Sequence, residues 1–286
     1  MKAFLRRNLL LFFKDKSAMF FSLLAVLIII VLYLLFLGDV WNESDDLSFI
    51  ANPRLLMDSW TMGGILAVCS ITTTMGAFGI MIEDKSKKLY KDFYASPIKR
   101  SEITGGYILS SFIIGVVMTC ITLVLAEIYI VICGGQLLSL VGFIQVLGLI
   151  VLSTFTNTAI VSFVVSFFKS INAFSTASTI LGTLVGFLTG MYVPIGVLPE
   201  FIQTVIKVFP VSHSGVLFRQ IMMKAPMAEA FAGVPQAAQD GLNEMMGVTF
   251  KVDNTTITPV VHLMVLVGTA IIFYLLSLWN LSRKRK

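Results

Sequence analysis

Residues 59–82 read SWTMGGILAVCSITTTMGAFGIMI, and residues 83–102 continue as EDKSKKLYKDFYASPIKRSE. The first stretch is long and apolar enough to span a bilayer, because a hydrocarbon layer about 30 Å thick needs about 20 helical residues. Five further runs of this kind lie at 18–37, 104–133, 141–168, 173–192 and 259–279. The sequence therefore predicts an all-α polytopic membrane protein with six transmembrane helices.

The composition supports this class. Apolar residues make up 57% of the chain and charged residues only 13%, whereas a soluble domain carries roughly one quarter charged residues. The net charge of +5 does not indicate a nucleic-acid partner, because the basic residues cluster in connections beside the apolar runs. Anionic lipid attracts such residues by about 1 kcal/mol each near the surface. We expect membrane lipid as a partner and no nucleic acid.

The distribution of charge predicts the orientation. Segments 1–17, 83–103, 169–172 and 280–286 together hold 16 of the 21 basic residues and 5 of the 16 acidic residues. Lysine and arginine in short loops resist translocation, so loops rich in them stay on the inner side. The sequence predicts a multi-pass protein of the cell membrane with both termini in the cytoplasm.

Four regions follow along the chain. Residues 1–17 are expected to form an amphipathic helix lying in the interface, although a plain basic flank to the first span fits as well. Residues 18–192 hold spans one to five. Residues 193–258 form an extracytoplasmic re-entrant hairpin followed by a small loop, and residues 259–286 form the sixth span and a basic cytoplasmic tail.

The inner loop at 83–102 contains features that predict both its local structure and a partner surface. It predicts a short helix over 85–94, and Ser96-Pro97 then predicts a break and the start of the next helix. Aromatic residues among the lysines favour a partner surface over a merely solvated loop, since buried interfaces are enriched in aromatic residues. The candidate contact residues are Lys85, Lys88, Leu89, Tyr90, Phe93 and Tyr94.

Three prolines, Pro194, Pro199 and Pro210, divide the apolar stretch 190–223 into short pieces. Pro199 is expected to open one short helix that ends before Pro210, and Ser212 is expected to cap a second that runs to about Met223. Neither piece is long enough to cross a bilayer. A re-entrant helical hairpin is therefore expected, with an ordinary amphipathic surface loop as the alternative.

Sequence signals for catalysis are missing. The chain has no GxxxxGK[ST] phosphate loop, no GxSxG and no histidine spacing typical of a metal site. Within Ser212-His213-Ser214, adjacent helical side chains diverge by about 100°, so they do not form a dyad by themselves. We expect no catalytic residue, no metal site and no cofactor in this chain.

Polar and small residues inside the spans suggest further sites. Ser178, Gly182, Gly186 and Gly190 form a ladder that favours close helix packing, either within the chain or between subunits. Asn157 is expected to face a neighbouring helix or a cavity. Glu127 is the acidic residue inside a predicted span, and it is either functional or close to the outer headgroups.

Two segments resemble the permease subunits of type-2 ATP-binding-cassette transporters. They are DFYASPIKRSEITGGYIL at 92–109 and GMYVPIGVLPEFIQTVIKVFPVSHSGVLFRQ at 190–220. The resemblance also includes the basic N-terminal helix and the six spans, so it covers nearly the whole chain. Six spans alone would not be specific.

The resemblance implies an exporter subunit that dimerises and binds two copies of a separate ATP-binding-cassette ATPase, which holds ATP and Mg. The partner permease is a second copy or a related chain. The helix at 85–94 would be the coupling helix, and the N-terminal helix would brace it. Spans one, two and five would flank the path, with Glu127, Asn157 and the three prolines as candidate path or gate residues. Substrates of the family are drugs, peptides, lipids and glycolipids.

Two other functions fit the sequence. An ion-coupled secondary carrier needs an ionisable residue near the membrane midplane, and Glu127 is the acidic residue available inside a span. A membrane signalling or scaffold subunit would use Tyr90, Phe93 and Tyr94 to bind a partner without exporting a compound.

Overall fold

A computed structural model describes residues 2–33, 35, 50, 52–252 and 255–283. Twelve α-helices occur among these residues, together with a 3₁₀ turn at Ile195–Val197 and one pair of short strands. The helices are α1 Lys2–Lys14, α2 Lys16–Leu32, α3 Pro53–Ser86, α4 Tyr90–Ala95, α5 Arg100–Ile132, α6 Leu140–Val165, α7 Ile171–Leu188, α8 Glu200–Val208, α9 Pro210–Met222, α10 Lys224–Ala230, α11 Gln236–Met245 and α12 Pro259–Arg283.

The predicted all-α polytopic membrane protein is confirmed. Among the described residues, α3, α5, α6, α7 and α12 are long and apolar enough to cross a membrane. The predicted first span at 18–37 corresponds to α2 up to Leu32, and residues 34, 36 and 37 of that span lie outside the described residues. Helices α8 and α9 meet at a bend of 88°, as a broken span or a re-entrant hairpin would.

The bundle has two distinct ends. The basic end holds α1, α4, the last turn of α3 and the first turn of α5. The hairpin end holds the start of α3, the end of α5 and helices α8 to α11. Hydrogen bonds from Thr156 to the Leu266 carbonyl (3.1 Å) and between Ser162 and Ser277 (3.0 Å) show that α12 runs parallel to α6. The C-terminus of α12 therefore lies at the basic end.

Helix α3 is the centre of the bundle. Its buried side chains include Trp60, Leu66, Ile71, Phe78 and Ile82, and it packs against α2, α5, α6, α7 and α9. Such burial along its full length follows from a sequence that is apolar on all faces, because a helix of that kind has no side suited to water.

Polar side chains inside the bundle form hydrogen bonds either within their own helix or to a neighbouring helix. Thr73 and Thr74 donate to carbonyls one turn earlier in their own helix, both at 2.7 Å. Asn157 instead donates from Nδ2 to Ser70 Oγ across the α6–α3 contact at 2.8 Å. The expectation that Asn157 faces a neighbouring helix is confirmed, and its amide acts as a link between two helices.

Some helices begin at residues whose type predicts a helix start, and one predicted start is not observed. Asp15, Ser139 and Ser170 each accept a hydrogen bond from a backbone N–H three residues later, as N-caps do. The predicted restart of helix at Ser96-Pro97 is wrong. Residues 96–99 are not helical, and α5 begins at Arg100 with no side-chain cap.

Residues 224–258 are more ordered than the sequence predicted. They contain α10, α11 and an antiparallel strand pair in which Val252 faces Thr255. Apolar side chains of this region pack on the start of α3, where Trp60 Nε1 donates to the Met246 carbonyl at 2.7 Å. Sequence reasoning missed this order because the apolar partner surface lies on α3, far away in the chain.

We predict that Gly115→Ala destabilises the bundle. An added Cβ would lie 2.5 Å from Thr74 Oγ1 and 2.7 Å from Thr154 Cγ2, so three helices would have to separate. Such overpacking costs about 1–3 kcal/mol. Gly148→Ala is the matched control, because no atom lies within 4 Å of its added Cβ. Thermal unfolding in detergent should show a lower midpoint for Gly115→Ala alone, and equal midpoints would contradict the close approach.

Candidate functional site

At the basic end, α1 packs into a notch formed by α3, α4 and α5. Phe4, Asn8 and Phe12 are its buried residues and share one face at four-residue spacing. Phe4 lies so close to Gly106 of α5 that a Cβ there would be 2.7 Å from its ring. Asn8 donates from Nδ2 to Ser110 Oγ at 3.3 Å. Helix α1 is thus fixed by shape and by a buried polar contact.

A bidentate ion pair joins α1 to α3. Arg7 Nη1 and Nη2 donate to the two carboxylate oxygens of Asp84 at 2.7 and 2.8 Å. Tyr107 of α5 donates its hydroxyl to the same carboxylate at 2.5 Å. The hydrogen bonds with Asp84 raise the pKa of Arg7 above its ordinary value. One carboxylate therefore ties three helices together, and the guanidinium remains charged.

Phe93 attaches α4 to this group. Its ring centroid lies 5.0 Å from Arg7 Cζ and 5.2 Å from the Phe4 ring, which it meets edge to face. Cation–π and edge-to-face contacts each add about 0.5–1.5 kcal/mol to such packing. The group of Phe4, Arg7, Asp84, Phe93 and Tyr107 is hereafter called the brace.

The predicted helix at 85–94 is not one helix. Lys85 is a half-buried residue of the last turn of α3, and the chain then turns through Lys88, which has φ +61°. Helix α4 starts only at Tyr90. The positive φ of Lys88 is a left-handed conformation, which breaks a helix. Position 88 is neither a glycine nor an asparagine, so its residue type does not signal the break.

The predicted contact residues divide between the two faces of α4. Phe93 is turned inward to the brace, whereas Tyr90, Lys91 and Asp92 are exposed. Leu89 is half-buried and Lys88 is exposed in the turn. The side chain of Tyr94 lies outside the described part of the structure. Lys91 and Asp92 also belong to the exposed face, although they are not among the predicted contact residues.

At the hairpin end, Arg219 of α9 is completely buried. It donates from Nη1 to the Thr189 carbonyl at 2.9 Å and from Nη2 to the Gly190 carbonyl at 3.0 Å. Its guanidinium also lies 4.5 Å from the Trp60 ring centroid. A cation at the carbonyl end of a helix is favourable because the helix dipole is negative there. Arg219 therefore links α9 to α7 and α3.

The prolines define the hairpin as predicted. Pro194 precedes the 3₁₀ turn, Pro199 precedes α8, and Pro210 is the first residue of α9. The predicted cap at Ser212 is wrong, because α9 has already begun and Ser212 donates to the Leu188 carbonyl at 2.6 Å. His213 contacts His262, with 2.7 Å between the Nδ1 atoms, and hydrogen bonds to neither neighbouring serine.

The predicted small-residue ladder is interrupted. Tyr192 of the same chain fills the space beside Gly186, and Gly190 lies beyond α7 in a turn with φ +64°. Gly182 faces open space, with no atom within 4 Å of an added Cβ. Ser178 and Gly182 instead line a groove of about 430 Å³ between α2, α3 and α7.

Glu127 lies one turn before the end of α5, at the hairpin end. Its Oε2 accepts a hydrogen bond from the backbone N–H of Leu138 at 3.0 Å. The residue is only 7% exposed. The location near one end of the bundle agrees with the interface placement that the sequence left open.

Comparison with known proteins identifies the family. The family model described as ABC-2 family transporter protein matches residues 41–279. The chain belongs to this family. No curated protein gives a significant match to the chain. As an ABC-2 protein it is a membrane subunit of an ATP-binding-cassette transporter, and the family implies partnership with an ATP-binding-cassette ATPase.

Within this ABC-2 subunit, sequence reasoning missed Arg7, Asp84, Tyr107 and Arg219. Arg7 and Asp84 are 77 positions apart, so one sequence carries no signal for their pairing. Arg219 did carry a signal, because it is the charged residue in the apolar helix 210–222. A charge in such a place is expected to have buried partners.

We predict that Asp84→Asn loosens α1. The substitution keeps the shape of the side chain but removes the charge that holds Arg7, so amides of residues 2–14 should exchange hydrogen faster. Glu83→Gln is the matched control, since Glu83 is exposed and pairs only with Lys87 in the described structure. Hydrogen–deuterium exchange followed by mass spectrometry measures the effect. Equal exchange in the two variants would contradict the role of the ion pair.

We predict that Arg219→Lys destabilises the hairpin end. One ammonium cannot reproduce the fork that reaches the Thr189 and Gly190 carbonyls, and a buried polar group without its partner costs about 1–3 kcal/mol. Lys224→Met, two residues beyond the same helix, removes an exposed cation and should leave stability unchanged. The readout is the thermal unfolding midpoint in detergent, and an unchanged midpoint for Arg219→Lys would refute the assignment.

Proposed function

We propose that the chain is the membrane-spanning subunit of an ATP-driven exporter of the cell membrane, with both termini in the cytoplasm. It would pair with a second copy of itself, or with a related permease chain, and bind a separate ATPase at the basic end. The substrate would be amphipathic: a drug, a peptide, a lipid or a glycolipid. The brace around Arg7 and Asp84 is the observation that carries this proposal.

The brace suits the transmission of force. Helix α4 has only six residues, and a helix that short has little stability by itself. Phe93 joins it to α1, and the Asp84 carboxylate joins α1 to α3 and α5. A partner that pushes on α4 would therefore displace two long helices together, as rigid-body switching requires.

The outward face of α4 suits docking. Tyr90, Lys91 and Asp92 present an aromatic ring and both signs of charge in consecutive positions. Aromatic residues dominate binding energy at protein interfaces, and charges of both signs fix the register of the partner. We assign the contact with the ATPase to this face and to the exposed turn at Lys88.

The groove between α2, α3 and α7 suits a substrate path at a subunit interface. Its lining is mostly apolar and also includes hydroxyl groups, which fits an amphipathic molecule. The hydroxyl groups belong to Ser22, Thr72, Ser178, Thr179, Thr183 and Tyr192. On α7, Ile180, Leu184 and Phe187 are about half exposed, and Gly182 leaves room for the close approach of another helix. A second permease chain would close the groove from that side.

The hairpin of α8 and α9 is the proposed outer gate. Arg219 holds the α9 arm to α3 and α7, whereas Phe201, Val205 and Val208 leave much of α8 exposed. Helix α8 is thus the arm with fewer contacts, and it is expected to move when the path opens. Pro199 and Pro210 mark the starts of the two arms, because a proline fits the first turn of a helix but cannot continue a preceding one.

The structure favours this function over a secondary carrier. Glu127 lies near the hairpin end and bonds to a loop N–H, whereas a coupling carboxylate is expected near the midplane. Glu127→Gln should therefore leave ATP-driven transport intact. Transport by the chain alone from an ion gradient would contradict the exporter assignment.

We predict that Tyr90→Ala weakens binding of the ATPase several-fold, because the ring is the largest exposed side chain of the proposed docking face. Tyr274→Ala is the matched control, because Tyr274 is an exposed tyrosine on α12, 47% exposed against 37% for Tyr90. The full-length chain is co-expressed with ATP-binding-cassette ATPases of the same genome and purified by a tag. Equal recovery of ATPase with both variants would overturn the docking face.

A further inference from the structure

A second site lies at the hairpin end, away from the groove between α2, α3 and α7. A cavity of about 530 Å³ is enclosed by the start of α3, the loop between α5 and α6, and the turn between α9 and α10. An apolar groove of about 610 Å³ lies next to it on the outer face of α5 and α6. Glu127, Leu137 and Leu138 line both, so the cavity and the groove share a wall.

The carboxylate of Glu127 is incompletely satisfied. Oε2 accepts the Leu138 N–H, but Oε1 is buried and has no hydrogen-bond partner among the described residues. A carboxylate is an acceptor only, so it requires a donor, and a buried acceptor left without one is costly. The cavity beside it is large enough for the polar headgroup of a ligand that brings such a donor.

The groove indicates where the rest of the ligand lies. Val131, Ile132, Leu137 and Leu140 are about half to three-quarters exposed along it. These side chains belong to α5, to the first residue of α6 and to the connection between the two helices, so the exposed face is suited to hydrocarbon rather than to water. A ligand with its head in the cavity would therefore lay an acyl chain in this groove from the membrane side.

The other charges of the cavity restrict the class of headgroup that fits it. Lys224 is an exposed cation on its wall, and Glu229 is already bonded to Asn52 Nδ2 at 3.4 Å. The buried carboxylate of Glu127 and the exposed cation of Lys224 complement a zwitterion, and Glu229 adds an exposed carboxylate on the α10 side of the cavity. We propose that this cavity and groove form a binding site for a zwitterionic membrane lipid with a primary ammonium, which Glu127 binds while Lys224 meets the phosphate.

The lipid is a peripheral ligand and not the exported substrate, because the cavity shares no lining residue with the groove of the proposed path. Its bound headgroup would link the loop between α5 and α6 to α10. The inference does not depend on the exporter assignment, since it concerns binding alone.

Native mass spectrometry of the full-length chain, delipidated in detergent, tests the proposal with phosphatidylethanolamine as the probe and phosphatidylglycerol as the comparison. The expected result is one saturable phosphatidylethanolamine per chain, weakened roughly tenfold by Glu127→Gln, which is the loss of about one charge-assisted contact. Phosphatidylglycerol binding should not change. Glu200→Gln, an exposed carboxylate on α8, is the matched control and should bind like the wild type.

Two further measurements keep the test decisive. Val131→Trp fills the groove without altering the charge, so it should also weaken phosphatidylethanolamine binding, even if Glu127→Gln folds poorly. Dodecylammonium, which has the cation but no phosphate, should compete only weakly. Wild-type affinity in both variants would overturn the site, and equally strong competition by dodecylammonium would overturn the assignment to a zwitterionic lipid.

Discussion

The Asp84 carboxylate is the contact on which the basic end of the molecule depends. It accepts two hydrogen bonds from Arg7 and one from Tyr107, so α1, α3 and α5 meet at a single side chain. The pair is close to the bundle surface, with the Arg7 side chain about 30% exposed, so its direct energetic contribution is modest. Its importance is geometric, because the Arg7 guanidinium also supports Phe93 and fixes where α4 lies.

At the hairpin end, an arginine also links several helices, but it binds backbone carbonyls instead of a carboxylate. No carboxylate within the described residues forms an ion pair with Arg219, which instead binds the carbonyls at the end of α7 and stacks on Trp60. Together the two arginines fix the two ends of α3. Between them, α3 is packed tightly, with helices approaching at Gly63, Gly64 and, through Thr74, at Gly115 of α5. A movement of α4 would therefore be transmitted toward the hairpin through tightly packed helices.

The apolar runs and prolines predicted most of the fold. Five of the six spans are found within a few residues of their predicted limits, and Pro199 and Pro210 open the two hairpin helices. These features depend on local composition and on the missing N–H of proline, which a single sequence shows directly.

Contacts between residues far apart in the chain could not be predicted from local composition. The ordered region after Met223 depends on Trp60 and Met57 of α3, and the brace joins residues 77 positions apart. Local signals also failed at Lys88, where a left-handed residue without a glycine separates α3 from α4. The predicted helix at 85–94 therefore begins several residues too early, and Phe93, which was predicted as a contact residue for a partner, faces α1 instead.

The central claim is that α4, held by the brace, is the contact point of the ATPase. Site-specific photocross-linking from a benzophenone side chain at position 91 tests it most directly, because the exposed Lys91 lies at the middle of the proposed face. In membranes containing both subunits, we expect a cross-link to the ATPase from position 91 and none from the exposed position 197 at the hairpin end. A cross-link from 197 and none from 91 would contradict the claim.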